Sequence, residues 1–534
     1  MFLDFREHPR DQLIETDVCV IGAGAAGIAI ADALAHSSLD VCLLETGGMS
    51  QEMVYMQLTA PAMRKGDYLT AGCRPRYFGG ATNHWGGQSI PLEERDFERR
   101  EWVAQSGWPI SRADLDDWYA QANRLVGGGL YEYSKAGMQD ANWPYPELKL
   151  EFFDDIYFRR SQDPTGIANP YKESFQSAPN IRVYLHATAT MLHANAAASN
   201  TRAITIKEPG GNQARLQARY FVISAGALES ARLLLASNDV VPAGLGNQGD
   251  QVGRYFMMHP HINIGRVVNP DERLLKYFKL HEHGGADVVA GIRPSFRSQK
   301  EQEILNASVR FTGIPDRQSG YYAMGEATRE LEISRDAWEN GFEYELREDF
   351  DDLVWLALKD FDSVVRGGWE RLWDEKYEGE FLRTEADIYV QSEQAPNPAS
   401  RITLGEDMDS LGVPRMVQDC RILPIDKRTL RVTGELLGQD LALQGFGRVK
   451  LGDWLLDDSI EWDRTIWGGC HHMGTTRMSA TDADGVVDSD CRLHSVDNTF
   501  VASGGVFSTG GYANPTLSIV ALALRLSDHI KALQ

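Results

Sequence analysis

The chain has 534 residues, 43% of them hydrophobic and 24% charged. That composition and length suit a globular protein of several domains, which excludes whole-chain disorder, a collagen-like rod and a disulfide-held miniprotein. The net charge of −23 repels phosphate backbones and anionic lipid, so neither a nucleic acid nor a membrane surface is an expected partner.

In chain order, the N-terminal stretch MFLDFREHPRDQLIETD has no apolar signal core. No uncharged apolar run reaches the ~18–20 residues needed to cross a bilayer, so a cytoplasmic protein without membrane insertion is expected. Six cysteines (19, 42, 73, 420, 470 and 491) show neither a C-x-x-C pair nor zinc spacing with histidine, and no metal site is expected. Free thiols in a reducing compartment follow as the expectation.

Asp17–Ile21 is a short apolar run, hence a buried strand; Gly22-Ala-Gly24-Ala-Ala-Gly27 follows, then a helical pattern over 28–34 and a second buried strand over 40–44. Residues 71–90 are glycine-rich, with Asn83-His84-Trp85 bracketed by glycine pairs. A helix is predicted over 115–126, an irregular connection over 130–180, strands over 181–185 and 218–224, and a helix over 228–235. Strands over 386–390 and 401–404 flank Pro396-Asn397-Pro398 and predict an antiparallel hairpin. The aromatic stretch 328–375 reads as a pair of amphipathic helices packed on a sheet, with a lid or subunit contact as the competing reading. Residues 499–502 read as a strand and 517–530 as a helix. A homo-oligomer is left open.

The first glycine turn reads as a dinucleotide site, with a glycine turn that binds nothing as the competing reading. Gly22 permits the turn out of the strand, Gly24 lets backbone approach a pyrophosphate, and Gly27 lets the helix pack against the strand. The helix N-terminus offers free N–H groups and partial positive charge to the phosphates. Glu45, 18 residues after Gly27, ends the second strand, where a carboxylate can hold both ribose hydroxyls. The motif does not separate FAD from NAD.

The C-terminal segment reads Gly468-Gly-Cys-His471-His472-Met-Gly474-Thr-Thr-Arg-Met478, then Ser503-Gly-Gly505 and on to Ala513-Asn514-Pro515-Thr516. With the N-terminal GAGAAG, the FGGATNHWGG loop, Ser224-Ala-Gly-Ala227 and Gly253-Arg-Tyr-Phe256, it resembles the glucose–methanol–choline (GMC) oxidoreductases, closest in its tail to pyranose oxidases and related sugar dehydrogenases. The resemblance implies an α/β protein: a Rossmann-type FAD domain of discontinuous segments, 1–260 and 461–534, with an inserted α+β substrate domain, 261–460, built on an antiparallel sheet.

It also implies the site. His471 takes the family's catalytic position, Asn514 is its polar partner, and His472 falls on a wildcard. Gly80, Asn83, His84, Gly505, Pro515 and Thr516 would surround the flavin, Ala189 the adenine, and Ser224 the second flavin-domain turn. His84 aligns with a histidine bonded covalently to FAD in pyranose oxidases; covalent, noncovalent and structural roles stay open. The family has threonine where this chain has Gly86, beside the flavin, which leaves oxygen reactivity open. His259 and His261 read as structural, with reach into the substrate cavity as the alternative, and Arg74 and Arg76 as solvated charges, with steering of an anionic group as the alternative. A neutral histidine near its pKa can take a hydroxyl proton, and an amide can orient the oxygen. The implied reaction is oxidation of a secondary hydroxyl of a pyranose sugar or glycoside to a ketone. A non-sugar alcohol and a flavin-dependent lyase are the alternatives. Oxygen, a quinone or a redox protein would accept the electrons.

Overall fold

In the computed structural model, residues 1–61, 63–66, 73–139, 147–314, 319–339, 346–365, 385–457, 459, 466 and 468–533 are described. The strand Ile14–Ile21 forms the middle of an eight-stranded sheet, with Val41–Leu44 on one side and Gln213–Ile223 on the other, both parallel to it. Val18, Cys19 and Val20 are fully buried, as a strand covered on both faces requires. Ile181–Leu185 and Phe2–Asp4 extend the parallel side, Thr201–Lys207 and Thr188–Ala194 add an antiparallel side, and Thr499–Val501 returns parallel to Gln213–Ile223. The helix Ala25–Leu34 is apolar nearly all round because it is also covered by the C-terminal helix Thr516–Ala532, itself packed on Asp116–Leu125.

The second eight-stranded sheet is antiparallel throughout: Arg448–Leu451, His261–Val268, Glu385–Ser392, Ala307–Ile314, Ala286–Pro294, Phe153–Arg160 and Gln88–Ser89, with Leu280–His283 also on Ala286–Pro294. A three-stranded sheet joins Arg401–Met408, Pro414–Cys420 and Met63–Gly66. The expected class, an α/β Rossmann-type domain with a second domain on an antiparallel sheet, is the architecture found.

Several local expectations are corrected. The stretch 130–180 is not irregular: it holds the strand Phe153–Arg160 and the helix Asn169–Ser177. Because that strand and Gln88–Ser89 pair in the second sheet, the chain enters that sheet well before residue 260. Strands 386–390 and 401–404 do not form a hairpin. Both edges of Glu385–Ser392 are taken by His261–Val268 and Ala307–Ile314, so Arg401–Met408 pairs instead with Pro414–Cys420. The helices Gly320–Glu339 and Phe350–Lys359 pack on each other through Ala323, Ala327, Leu353 and Ala357 rather than on a sheet, and leave Trp355 and Leu358 exposed. Phe342, Tyr344, Trp369 and Trp373 of the aromatic stretch lie outside the described residues.

The thiol expectation also fails. Cys73 and Cys470 form a disulfide across 397 residues of sequence, tying the start of the glycine-rich stretch 71–90 to the residue preceding His471. Cys19, Cys42, Cys420 and Cys491 are free and buried. With one disulfide present, the six cysteines no longer point to a reducing compartment. Among the described residues, no helix is long and apolar enough to cross a membrane.

Candidate active site

The glycine turn is built by sterics. Gly22 has φ +106°, and its N–H donates to the Leu44 carbonyl at 2.8 Å. A Cβ on Gly27 would lie 1.9 Å from the Gly22 carbonyl oxygen, whereas one on Gly24 would meet nothing within 4 Å. Helix and strand therefore touch at Gly27, and the space over Gly24 is kept open at the helix N-terminus. The Ser224 hydroxyl sits within donating distance of the Ile21 and Gly22 carbonyls, 2.9 and 2.8 Å away, and braces the turn from the neighbouring strand.

Glu45 is buried. Its carboxylate accepts from the Ala23 and Gly47 N–H groups, each at 3.0 Å. Burial pushes its pKa up, and those backbone donors pull against the shift. Beside it opens a cavity lined by Gly22, Thr46, Arg76, Thr188, Ala189, Glu229 and Leu233. The buried Thr188 hydroxyl in its wall has no protein partner. Arg74 and Arg76 are not solvated charges: both are mostly buried and pair with Glu229 at 2.6 and 2.8 Å. Burial pushes the Glu229 carboxyl up, but Arg76, Arg232 and Arg74 together bring it down to about 2.

The loop 79–87 docks on the glycine turn. The Gly79 N–H donates to the Ala23 carbonyl at 2.9 Å, and a Cβ on Gly80 would come within 3.3 Å of the Gly24 Cα. Gly80–Asn83 forms one 3₁₀ turn, closed by the Asn83 amide donating to the Phe78 carbonyl at 2.9 Å. His84 is exposed, with Nε2 2.8 Å from the Tyr77 hydroxyl.

The catalytic candidates converge through the second sheet. His261 and Gln391 face each other on adjacent antiparallel strands. The His261 ring packs edge-on against His471, with centroids 5.4 Å apart. Gln391 donates both amide hydrogens, to the Tyr512 carbonyl at 2.6 Å and to Asn514 Oδ1 at 2.7 Å. Asn514 in turn donates from Nδ2 to the Gln88 carbonyl at 2.9 Å. One rung of sheet thus supports both the histidine and the asparagine. Asn514 and Pro515 lead into the helix Thr516–Ala532. Gly505 is buried, and its carbonyl accepts from the Thr476 N–H at 2.8 Å.

His259, read from sequence as structural, lies with Nδ1 2.9 Å from His471 Nδ1, and its Nε2 is 3.4 Å from the Gly510 carbonyl. His261 Nδ1 is 2.7 Å from the Tyr389 hydroxyl. Burial holds all four histidines of this region neutral: His259 falls to about 4, His472 to about 3, and His261 and His471 well below the ordinary range, with neighbouring histidines adding to the shift of the last two. Ring nitrogens of His259, His261 and His471 lie within 4.8 Å of one another, a cluster that linear spacing did not reveal. The Nδ1 atoms of His259 and His471 are hydrogen-bonded to each other.

A buried polar network backs the loop 508–512. Arg100 grips Glu393 at 2.7 and 2.5 Å; Asn306 bridges Glu93 and Asp96; and the Asp96 carboxylate lies where a Cβ on Gly511 would be, 2.4 Å away. Sequence reasoning missed Gln391 and undervalued His259. Neither has a local signal, since each matters only through a partner more than 100 residues distant.

The residues present fit an FAD. Open space lies over Gly24, a polar cavity adjoins Glu45 and Ala189, and His472 Nε2 and the Thr476 hydroxyl are buried without a protein partner at the other end. The family model described as GMC oxidoreductase matches residues 396–523. The chain is 23% identical to the fructose dehydrogenase large subunit of Gluconobacter japonicus, over 97% of this chain and 98% of that one. It is 25% identical to 6'''-hydroxyparomomycin C oxidase of Streptomyces lividus, over 96% and 91%. The structure of pyridoxine 4-oxidase from Mesorbium loti shares its fold, with TM-score 0.55 at 16% identity over 96% and 98% of the two chains. The C-terminal part of the chain matches the GMC oxidoreductases, and the chain is similar along its length to sugar oxidoreductases of that kind, which makes it an FAD-dependent enzyme acting on CH–OH groups.

Proposed function

We propose that the enzyme oxidises a secondary hydroxyl of a pyranose sugar or glycoside to a ketone. His471 takes the hydroxyl proton and Asn514 holds the same oxygen. The observation that carries this reading is the His261–Gln391 rung, which supports a neutral imidazole and an oriented amide together. The names of the two full-length relatives, a fructose dehydrogenase and an aminoglycoside oxidase, support a polyhydroxylated substrate.

FAD, when bound, supplies the acceptor for the hydride leaving the same carbon. Gly22, Gly24 and Gly27 with the helix N-terminus would take its pyrophosphate, Glu45 a ribose, and Ala189 the adenine side. Ser224 braces that turn. Gly80, Asn83, His84, Gly505, Pro515 and Thr516 would border the ring.

His471, kept neutral by burial, has a lone pair ready at working pH. Asn514 has one amide N–H committed to the Gln88 carbonyl, which leaves the second to donate to the substrate oxygen as negative charge develops there. Its orientation is not free to flip, because Gln391 can only donate to Oδ1 once its other N–H is committed to a backbone carbonyl. Since Tyr77 engages His84, we read its contact with FAD as noncovalent; a denaturing gel viewed under acid should stay dark, and a fluorescent band would establish the bond.

The test is anaerobic titration of the yellow holoenzyme with glucose, a methyl glucoside and simple alcohols. Bleaching by a sugar or glycoside is expected. Bleaching by simple alcohols alone would overturn the substrate class, and absence of any reduction would overturn the redox reading.

A further inference from the structure

We propose that His259 is a positioning residue that locks His471 in the tautomer with hydrogen on Nδ1, so that Nε2 is the basic atom; this rests on the reading of His471 as the base.

Donors and acceptors along one chain of atoms fix the tautomer. The Gly510 carbonyl can only accept, so His259 Nε2 carries the hydrogen that reaches it. His259 is neutral, having been pushed down to about 4 by burial, so its Nδ1 bears no hydrogen and can only accept. His471 Nδ1 lies 2.9 Å from that lone pair and therefore carries a hydrogen and donates it. A neutral His471 with hydrogen on Nδ1 has a bare Nε2, and no described residue hydrogen-bonds that atom. The backbone carbonyl of residue 510 thus dictates, through two rings, which nitrogen of residue 471 can act.

The same contact serves the second half of proton transfer. When His471 takes the hydroxyl proton on Nε2, its Nδ1–H still points at the His259 lone pair, so the imidazolium is held without a carboxylate partner. Other charged or titratable groups bear on this pair from the packed strands and tail: His261, Tyr389 and Arg310 on the second sheet, Glu393 behind His259, and His472 beside His471. None of them replaces the acceptor at His471 Nδ1 among the described residues. The glycines are part of the device. A Cβ on Gly469 would meet His261 Nε2 at 2.4 Å, and one on Gly510 would meet His259 Nε2 at 3.3 Å, so side chains there would crowd the rings out of register.

The experiment compares two variants as holoenzymes. Asn at 259 offers Oδ1 near the place of the imidazole Nδ1, while Leu offers no acceptor. His259→Leu should retain FAD and substrate affinity but reduce its flavin on the order of 10²- to 10⁴-fold more slowly, the scale expected when a catalytic histidine loses the acceptor that selects its tautomer. His259→Asn should recover to within about tenfold of wild type, whereas a merely structural histidine would give equal losses in both. Equal losses, or a Leu variant within about fivefold of wild type, overturn the proposal. A second readout needs no activity. In ¹⁵N-histidine-labelled wild-type holoenzyme, His471 should show a protonated-type Nδ1 and a bare-type Nε2; the reverse assignment overturns the lock even if the substrate remains unidentified. If no alcohol reduces the flavin but the Nδ1-protonated tautomer is seen, the functional reading fails and the lock stands.

Discussion

Gly24 and Gly27 lie three residues apart in one turn, yet the structure predicts opposite failures when each becomes alanine. At Gly27 the new Cβ would sit 1.9 Å from the Gly22 carbonyl oxygen and 2.8 Å from the Ser224 hydroxyl, both parts of the rigid strand edge. A carbon–oxygen contact needs more than 3 Å, so the helix Ala25–Leu34 must move off the sheet by about 1 Å along buried residues. Overpacking of that kind costs about 1–3 kcal/mol, and this contact, being with backbone, belongs at or above the top of that range. At Gly24 the Cβ would meet no protein atom within 4 Å, and φ −81°, ψ −170° suits alanine. Weaker capping and reduced unfolded-state entropy nearly offset, leaving stability changed by less than about 1 kcal/mol. The methyl would instead occupy the approach of the pyrophosphate, and FAD affinity should fall by about 100-fold, or about 2.7 kcal/mol. Urea unfolding of the apoproteins and FAD titration by fluorescence quenching separate the two. Gly27→Ala should unfold at lower urea, while Gly24→Ala should fold normally and bind FAD poorly. A Gly24→Ala protein that binds FAD like wild type would refute the placement of the phosphates, and an undiminished Gly27→Ala stability would refute the close helix–strand contact.

His471→Ala should keep its flavin colour and lose anaerobic reduction by about 10²–10⁴-fold in stopped flow; near wild-type reduction would remove it from the mechanism. Gln391→Leu frees Asn514 Oδ1 and the Tyr512 carbonyl together, and should slow reduction by about 10–100-fold with FAD retained, at roughly 1–3 kcal/mol for the polar groups left unpaired. Thiol titration in denaturant without reductant should count four cysteines, and six after reduction, because 73 and 470 are paired; breaking the pair with Cys73→Ser should cost about 2–4 kcal/mol in unfolding stability. Acid should destabilise the fold through the buried histidines. Their folded pKa values, about 4 for His259 and about 3 for His472, lie below the ordinary 6.5, so their contribution is fully present above 6.5 and is lost as pH falls toward those values. Asp96, raised by burial and by Glu93 and Glu393, works in the opposite sense, stabilising at low pH and losing that contribution as pH rises. His472→Gln should therefore flatten the acid limb of a urea-unfolding profile by about 1.4 kcal/mol per pH unit, and an unchanged limb would show that His472 is not held neutral.

The sequence by itself determined what is contiguous. The run from Ile14 to Glu45 is legible because strand, turn, helix and strand follow in order, and because each glycine answers to sterics within the same thirty-odd residues, as the Gly22 φ and the Gly27 contact bear out. The tail around His471 and Asn514 is legible for a similar reason: a dense local motif carries the family. Tertiary structure alone decided what is paired across the chain. The strand 385–392 has the alternation of a hairpin arm, but two strands distant in sequence take both of its edges, so the turn at 396–398 joins two different sheets. Cys73 finds Cys470 across 397 residues, for which no spacing rule exists. Arg74 and Arg76 look solvated in sequence and are buried because Glu229 arrives to neutralise them. Gln391 and His259 acquire their roles from hydrogen bonds spanning 123 and 212 residues. Periodicity and turn chemistry are local properties of a chain, whereas the choice of a strand's edge partner, an ion pair or a histidine's tautomer is settled by whichever distant group the folded core brings within 3 Å.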